Sequence, residues 1–256
     1  MIQAVDRAVR ILTALQGARR MSLGEIATEL DLAPSTVHGI IRTLLQHGMV
    51  AQERDSGRYR LGPATLRLGN VYLHTLELRS RVISWSEDLA KRTGCAVRAG
   101  VLLLGEVVVV HHEPRPDGTR QMPEVGIVIP AHACALGKAL VAYAHVEETL
   151  AAGLRSMTGD TITQPAALLA EIDEVKRTGL ATEVEEAVIG ECGVAAPLVD
   201  ASGMVPGALS LVVPTSRWPL ADSDIEALRD AARSISHELG APSWPPIYSA
   251  DSAASA

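Results

Sequence analysis

The 256-residue chain contains no phenylalanine, and nothing else in the sequence explains the omission. Cysteine is scarce. Cys95, Cys134 and Cys192 stand far apart with no CxxC pair, which excludes a disulfide-stapled secreted scaffold and points to a reducing compartment. Long apolar runs are missing too. The richest stretch, VLLLGEVVVV, is broken by Gly105 and Glu106, short of the roughly 18 residues that a membrane-spanning helix needs. The N-terminus alternates charged and apolar residues and offers no uninterrupted signal-peptide core. A soluble, cytoplasmic protein is the expectation.

What is present is ordinary globular material, 47% hydrophobic and 21% charged, in a chain longer than one typical domain. The net charge of −7 is unevenly spread. Residues 1–65 hold eight arginines against six acids, a balance of +2 that leaves −9 for the remainder. A mildly basic head on an acidic body is compatible with a small nucleic-acid module joined to a second domain.

The head shows three helical segments. Val5, Ala8, Val9, Leu12 and Leu15 recur at helical spacing, with Gly17 ending the pattern. Ser22 and Glu25 have capping-box spacing, so a second helix runs over about 22–30. Pro34 suits the first position of a third helix, and Gly48 its C-terminal stop. The extended pieces MVAQ and RYRL then flank ERDSG, a hairpin loop by composition. Three helices and a hairpin make the order of a winged helix-turn-helix.

In the third helix, Val37, Ile40, Ile41, Leu44 and Leu45 form one apolar stripe. The opposite face carries Ser35, Thr36, His38, Gly39, Arg42, Thr43 and Gln46, a set suited to the major groove of double-stranded DNA. Ser35 and Thr36 would meet phosphate at the helix start, Arg42 a guanine or a phosphate, and Gly39 would allow close backbone approach. The wing adds Arg54, Arg58 and Arg60, with Tyr59 turned to the core by strand alternation. One such head contacts few phosphates, so a dimer reading a pseudo-palindromic site is expected.

Beyond Pro63 a mixed three-and-four spacing of apolar residues predicts one or two linker helices reaching Thr93, whose stripes would pair between subunits. β-branched runs then alternate with helical stretches up to about residue 240, the pattern of an α+β domain with a central sheet. The expected organisation is a winged helix-turn-helix domain at 1–62, a linker helix at 63–78, an α+β domain at 79–240 and a Pro-, Ser- and Ala-rich flexible tail at 241–256.

Several motifs argue against catalysis or metal binding. His111 and His112 are neighbours on a strand and point to opposite faces, so they do not readily share an ion with Glu113 or His132. ALGKAL lacks the spacing of a phosphate-binding loop. A Cys134–His132 pair would be needed for a nucleophile, and small buried cysteines are far commoner. No cofactor is expected.

The segments AVDRAVRIL, LGEIATELDLAPSTVHGIIRTLLQHGMV and SGRYRLGPATLRLG resemble the DNA-binding domain of IclR-type transcriptional regulators. PAHACALGKALVAYA, GLATEVEEAVIGECGVAAPLVDASG and GALSLVVP resemble the effector domain of that family, so the likeness spans roughly residues 2–240. HHEPRPDGTRQMPEVG, together with STVHGIIRTL, is most similar to the glycerol-operon (GylR-type) subgroup. The resemblance implies a GAF-like domain with a curved antiparallel sheet roofed by helices. It implies an effector pocket at Cys134, Ala135, Leu136, Glu183, Gly193 and Ser210, taking glycerol, glycerol 3-phosphate or a small organic acid. Many relatives carry cysteine where Gly193 stands, and often a second serine where Val212 stands, so the pocket differs from the common pattern. Lys138 reads either as a polar pocket group or as a surface residue of an amphipathic helix, and Glu183 either as a ligand contact or as a solvated strand end. The expected function is a ligand-responsive repressor of a catabolic operon, as a dimer or tetramer. An activator, a ligand-independent regulator and an enzyme with a vestigial helix-turn-helix are the alternatives.

Overall fold

The computed structural model describes residues 2–119, 121–144 and 146–246. The chain divides into two compact units, Met1–Thr75 and Leu76–Ala256.

In the first unit, helices α1 (Gln3–Ala18), α2 (Leu23–Glu29) and α3 (Pro34–Gln46) precede a hairpin of β1 (Val50–Gln52) and β2 (Tyr59–Leu61), and α4 (Pro63–Thr75) follows. The expected capping box is present. Ser22 Oγ accepts from the Glu25 N–H at 3.2 Å, and Glu25 Oε2 accepts from the Ser22 N–H at 2.6 Å. The core gathers Ile11, Leu15, Ile26, Val37, Ile41, Val50 and Tyr59. The reading of α1 needs correction: the helix passes Gly17 to Ala18, and Ile11, outside the expected stripe, is buried. Val5 is 58% and Val9 55% exposed instead.

The second unit opens with α5 (Glu77–Thr93), separated from α4 at Leu76, whose backbone is extended. Glu77 in the first turn and Lys91 and Arg92 in the last complement the helix dipole, and Gly94, in the left-handed region at φ 64°, ends the helix. The strands are β3 (Ala96–Leu103), β4 (Glu106–Glu113), β5 (Val128–Pro130), β6 (Ala181–Val184), β7 (Glu191–Leu198) and β8 (Gly207–Pro214). They form one antiparallel sheet in the order β5-β4-β3-β8-β7-β6. Helices α5 and α9 (Asp222–Glu238) pack on one face, and α6 (Ala135–Val141) and α8 (Pro165–Thr178) on the other; α7 (Val146–Ala152) lies between these last two in sequence. With both faces covered, the central strands read as continuous apolar runs instead of alternating ones.

The expectation that both linker helices pair between subunits fails for α5. Its apolar residues Leu78, Val82 and Leu89 are buried within its own unit, where the helix packs on α9, β3 and β4. The tail also departs from expectation: Trp244 Nε1 donates to Pro197 O at 2.8 Å and its ring lies under Arg233, while residues 247–256 lie outside the described residues.

Lys138 is not on a surface. It is 1% exposed, and its ammonium donates to Glu186 at 2.7 Å, to Thr182 O at 3.0 Å and to Glu171 at 3.4 Å. A buried ammonium needs carboxylate partners, so this lysine ties α6 to α8 and to the β6 end. Glycine at position 137 lets α6 seat on the preceding turn, because a Cβ there would run into the Ala131 backbone.

Candidate DNA interface and effector cavity

The two faces of α3 separate as the spacing predicts. Val37 and Ile41 are buried, and Ile40, Leu44 and Leu45 are half-buried against the same core. Ser35, His38, Gly39, Arg42, Thr43 and Gln46 are exposed, and Thr36 is half-buried. At the helix start Ala33 provides no side-chain cap, so the first turn keeps its dipole open to an anion. Thr43 Oγ1 returns to Gly39 O at 3.3 Å. A Cβ on Gly39 would meet nothing within 4 Å, so no contact inside the chain requires glycine there.

The wing arginines have different environments. Arg54 and Arg60 are exposed and, among the described residues, form no ion pair. Arg58 is held: its guanidinium grips both Glu25 carboxylate oxygens at 2.9 and 3.0 Å. Hydrogen bonds from Ser22 first, and then Arg58, keep Glu25 below the usual carboxylate range. The wing is thereby latched to the capping box of α2. Tyr59 points into the core, as alternation requires.

In the second unit, Cys134, Ala135, Leu136, Glu183, Gly193 and Ser210 line one cavity, joined by Arg98, Ile129 and Val212. The open space is about 10 Å³, room for roughly one water, so a larger guest requires the walls to move. Glu183 is 5% exposed, not a solvated strand end. Burial, then the neighbouring Glu186 charge, raises its pKa to about 7, against opposition from Arg98. Its Oε2 has no hydrogen-bond partner among the described residues. A Cβ on Gly193 would press on Leu211 O at 3.2 Å and only touch the Glu183 side chain at 3.6 Å. Cys192 faces away, toward Thr215.

Arg98 was missed in the sequence. It reaches Glu124 at 2.9 Å and Glu191 at 3.1 Å. Burial opposes its charge, but these carboxylates outweigh it and raise its pKa. The available signal was a lone cation inside the apolar run AVRAGV, since a buried arginine demands acidic partners.

The histidines do not converge. His111 meets Ser86 Oγ at 2.7 Å on the α5 side, and burial first, then Arg79, pulls its pKa down to about 4. His112 lies on the other face, 3.8 Å from Glu124, and His132 meets Arg155 O at 3.0 Å. Cys134 accepts from the Gly137 N–H at 3.3 Å, and burial pushes its thiol up to about 12, so it is held protonated.

Sequence profiles for the "IclR helix-turn-helix domain" and the "Bacterial transcriptional regulator IclR C-terminal" match residues 4–54 and 70–237. The chain belongs to the IclR family of transcriptional regulators. It is 42% identical to the glycerol operon regulatory protein of Streptomyces coelicolor over 94% of this chain and 97% of that one. A crystal structure from Silicibacter assigned as an IclR transcriptional regulator superposes with a TM-score of 0.82 at 29% identity, covering 96% of this chain and all of that one. An IclR homolog from Microbacterium hydrocarbonoxydans, crystallised with 4-hydroxybenzoate, gives 0.77 at 26% identity over 93% and 99%. The chain is accordingly a ligand-responsive DNA-binding regulator of an IclR type, and its relatives are regulators, not enzymes.

Two outcomes follow. Gly39→Ala should raise the thermal stability of the head, by about 0.5–1 kcal/mol of helix propensity, while weakening operator binding in the same preparation; stabilisation with unchanged DNA affinity would mean that no partner approaches there. For Glu183 the folded pKa lies above the unfolded value of 4.5, so its contribution is present below pH 4.5 and is lost as pH rises through about 7. Urea titrations of wild type and Glu183→Gln should diverge by roughly 3 kcal/mol over that window, with the variant gaining relative stability at the higher pH; parallel profiles would contradict the assignment.

Proposed function

We propose that the protein represses a catabolic operon for a small carbon source, glycerol or a related compound, in the cytoplasm. A homodimer holds a pseudo-palindromic operator in double-stranded DNA and releases it when a small molecule enters the cavity of the second unit. The observation that carries this reading is the two-sidedness of α3: its apolar stripe is used up by the core, and a polar face with Arg42 is left outside.

In this reading Ser35 and Thr36 take phosphate at the helix start. His38, Thr43 and Gln46 approach base edges beside Gly39, and Arg42 pairs with guanine or phosphate. Arg54 and Arg60 grip the backbone from the wing, and Arg58 acts by holding the wing against Glu25. Two heads are needed because each offers few cations. Pairing between copies is supported by the apolar residues left exposed on α1 and α4, among them Ile2, Val5, Val9, Leu66 and Val71; two such dimers can assemble further into a tetramer. The effector candidates are glycerol, suggested by the Streptomyces relative's name, its 3-phosphate, or a small organic acid, the class found in the Microbacterium homolog. The binding residues are Cys134, Ala135, Leu136, Glu183, Gly193 and Ser210, which share one cavity.

The test is an electrophoretic shift with DNA from upstream of the protein's own gene, at several salt concentrations. Affinity should fall steeply with salt, and Arg42→Ala combined with Arg60→Ala should cost about tenfold or more. Salt-independent binding that the double variant leaves intact would sink the DNA reading.

A further inference from the structure

We infer that the effector is a small, hydroxyl-bearing molecule without negative charge, held by Glu183 and Ser210, and that the cavity excludes carboxylates and phosphates of the same size. This rests on the reading of the cavity as the effector site.

Charge comes first. Among the described residues Arg98 is the one cation lining the cavity, and Glu124 and Glu191 already claim its guanidinium. Lys138, behind the wall, is likewise taken by Glu186, Glu171 and Thr182 O. With Glu183 included, two cations stand among five carboxyl groups. An anion entering here would have to strip a carboxylate from Arg98 and would face the remaining acids in a buried setting, where like charges repel strongly. It would find no free positive charge to offset its own desolvation.

Hydrogen bonding points the same way. Glu183 Oε2 is buried and has no partner among the described residues, a costly condition that a hydroxyl group relieves. A ligand O–H donates to the ionised carboxylate, or accepts from the carboxyl when it is protonated, and no net charge is added in either state. Ser210 Oγ makes only a long 3.4 Å contact to Arg98 O and keeps acceptor capacity for a second hydroxyl. Ile129, Leu136 and Val212 offer apolar wall to a short carbon skeleton.

The experiment is calorimetric titration of the intact chain with glycerol, glycerate and glycerol 3-phosphate, which share a three-carbon skeleton and differ in charge. Glycerol should bind, with each charged analogue weaker by about tenfold or more. Glu183→Ala should lower glycerol affinity about tenfold, with its thermal midpoint confirming a folded protein. Glu191→Gln, which frees one side of Arg98, should raise the glycerate-to-glycerol affinity ratio several-fold. Tighter binding of either anion, an absence of binding by all three, or an unchanged ratio in Glu191→Gln would overturn the inference. Operator affinity read in the same titrations separates it from the reading beneath. An anionic analogue that binds best and releases DNA overturns the exclusion of anions alone, whereas preferential glycerol binding with unaltered DNA affinity supports that exclusion and overturns the effector role.

Discussion

Buried positive charge must be neutralised, and that requirement organises the sensor unit. Arg98 and Lys138 lie inside the fold, where an unpaired cation would be prohibitively costly. Their partners come from distant parts of the sequence: Glu124 from the segment before β5, Glu191 from β7, Glu171 from α8 and Glu186 from beyond β6. The ion pairs therefore fix which segments meet around the cavity. They also occupy the site's cations, while Glu183 Oε2 has no hydrogen-bond partner among the described residues. On the proposed reading, the cavity's selectivity and the fold's stability derive from the same set of charges.

The head is governed by a different division. Its small core needs only one side of α3, so the other side is free to be polar. Glu25 serves twice, closing the capping box of α2 and receiving Arg58 from the wing. That double use orients the wing by an exposed but bidentate pair, a geometry stronger than a single-contact surface ion pair.

Much of this was legible in the sequence, unevenly. The α3 stripe, the Ser22–Glu25 box and the hairpin are local patterns, set by spacing and turn chemistry, and the structure bears them out. The six cavity residues came from resemblance to a family, since nothing in their separate segments says that they converge. Arg98 escaped notice because its environment is made by residues 26 and 93 positions away in sequence. Lys138 suffered similarly: at helical spacing it looks amphipathic, and only the packing of α6 against β7, β8 and α8 reveals its burial. The α1 stripe misled for a related reason. Val5 and Val9 have the period of a core face yet remain exposed, because Ile11 and Leu15 already supply the side of α1 that the small core uses.

The central claim is that one chain couples a DNA reader to a small-molecule sensor, so that each ligand changes the affinity for the other. Thermodynamic linkage makes this reciprocal. The most direct test measures effector affinity for the intact protein with and without saturating operator, and operator affinity with and without saturating effector. The account predicts that the two ratios agree and differ from unity by about fivefold or more. Effector affinity that is the same on and off the operator would contradict it.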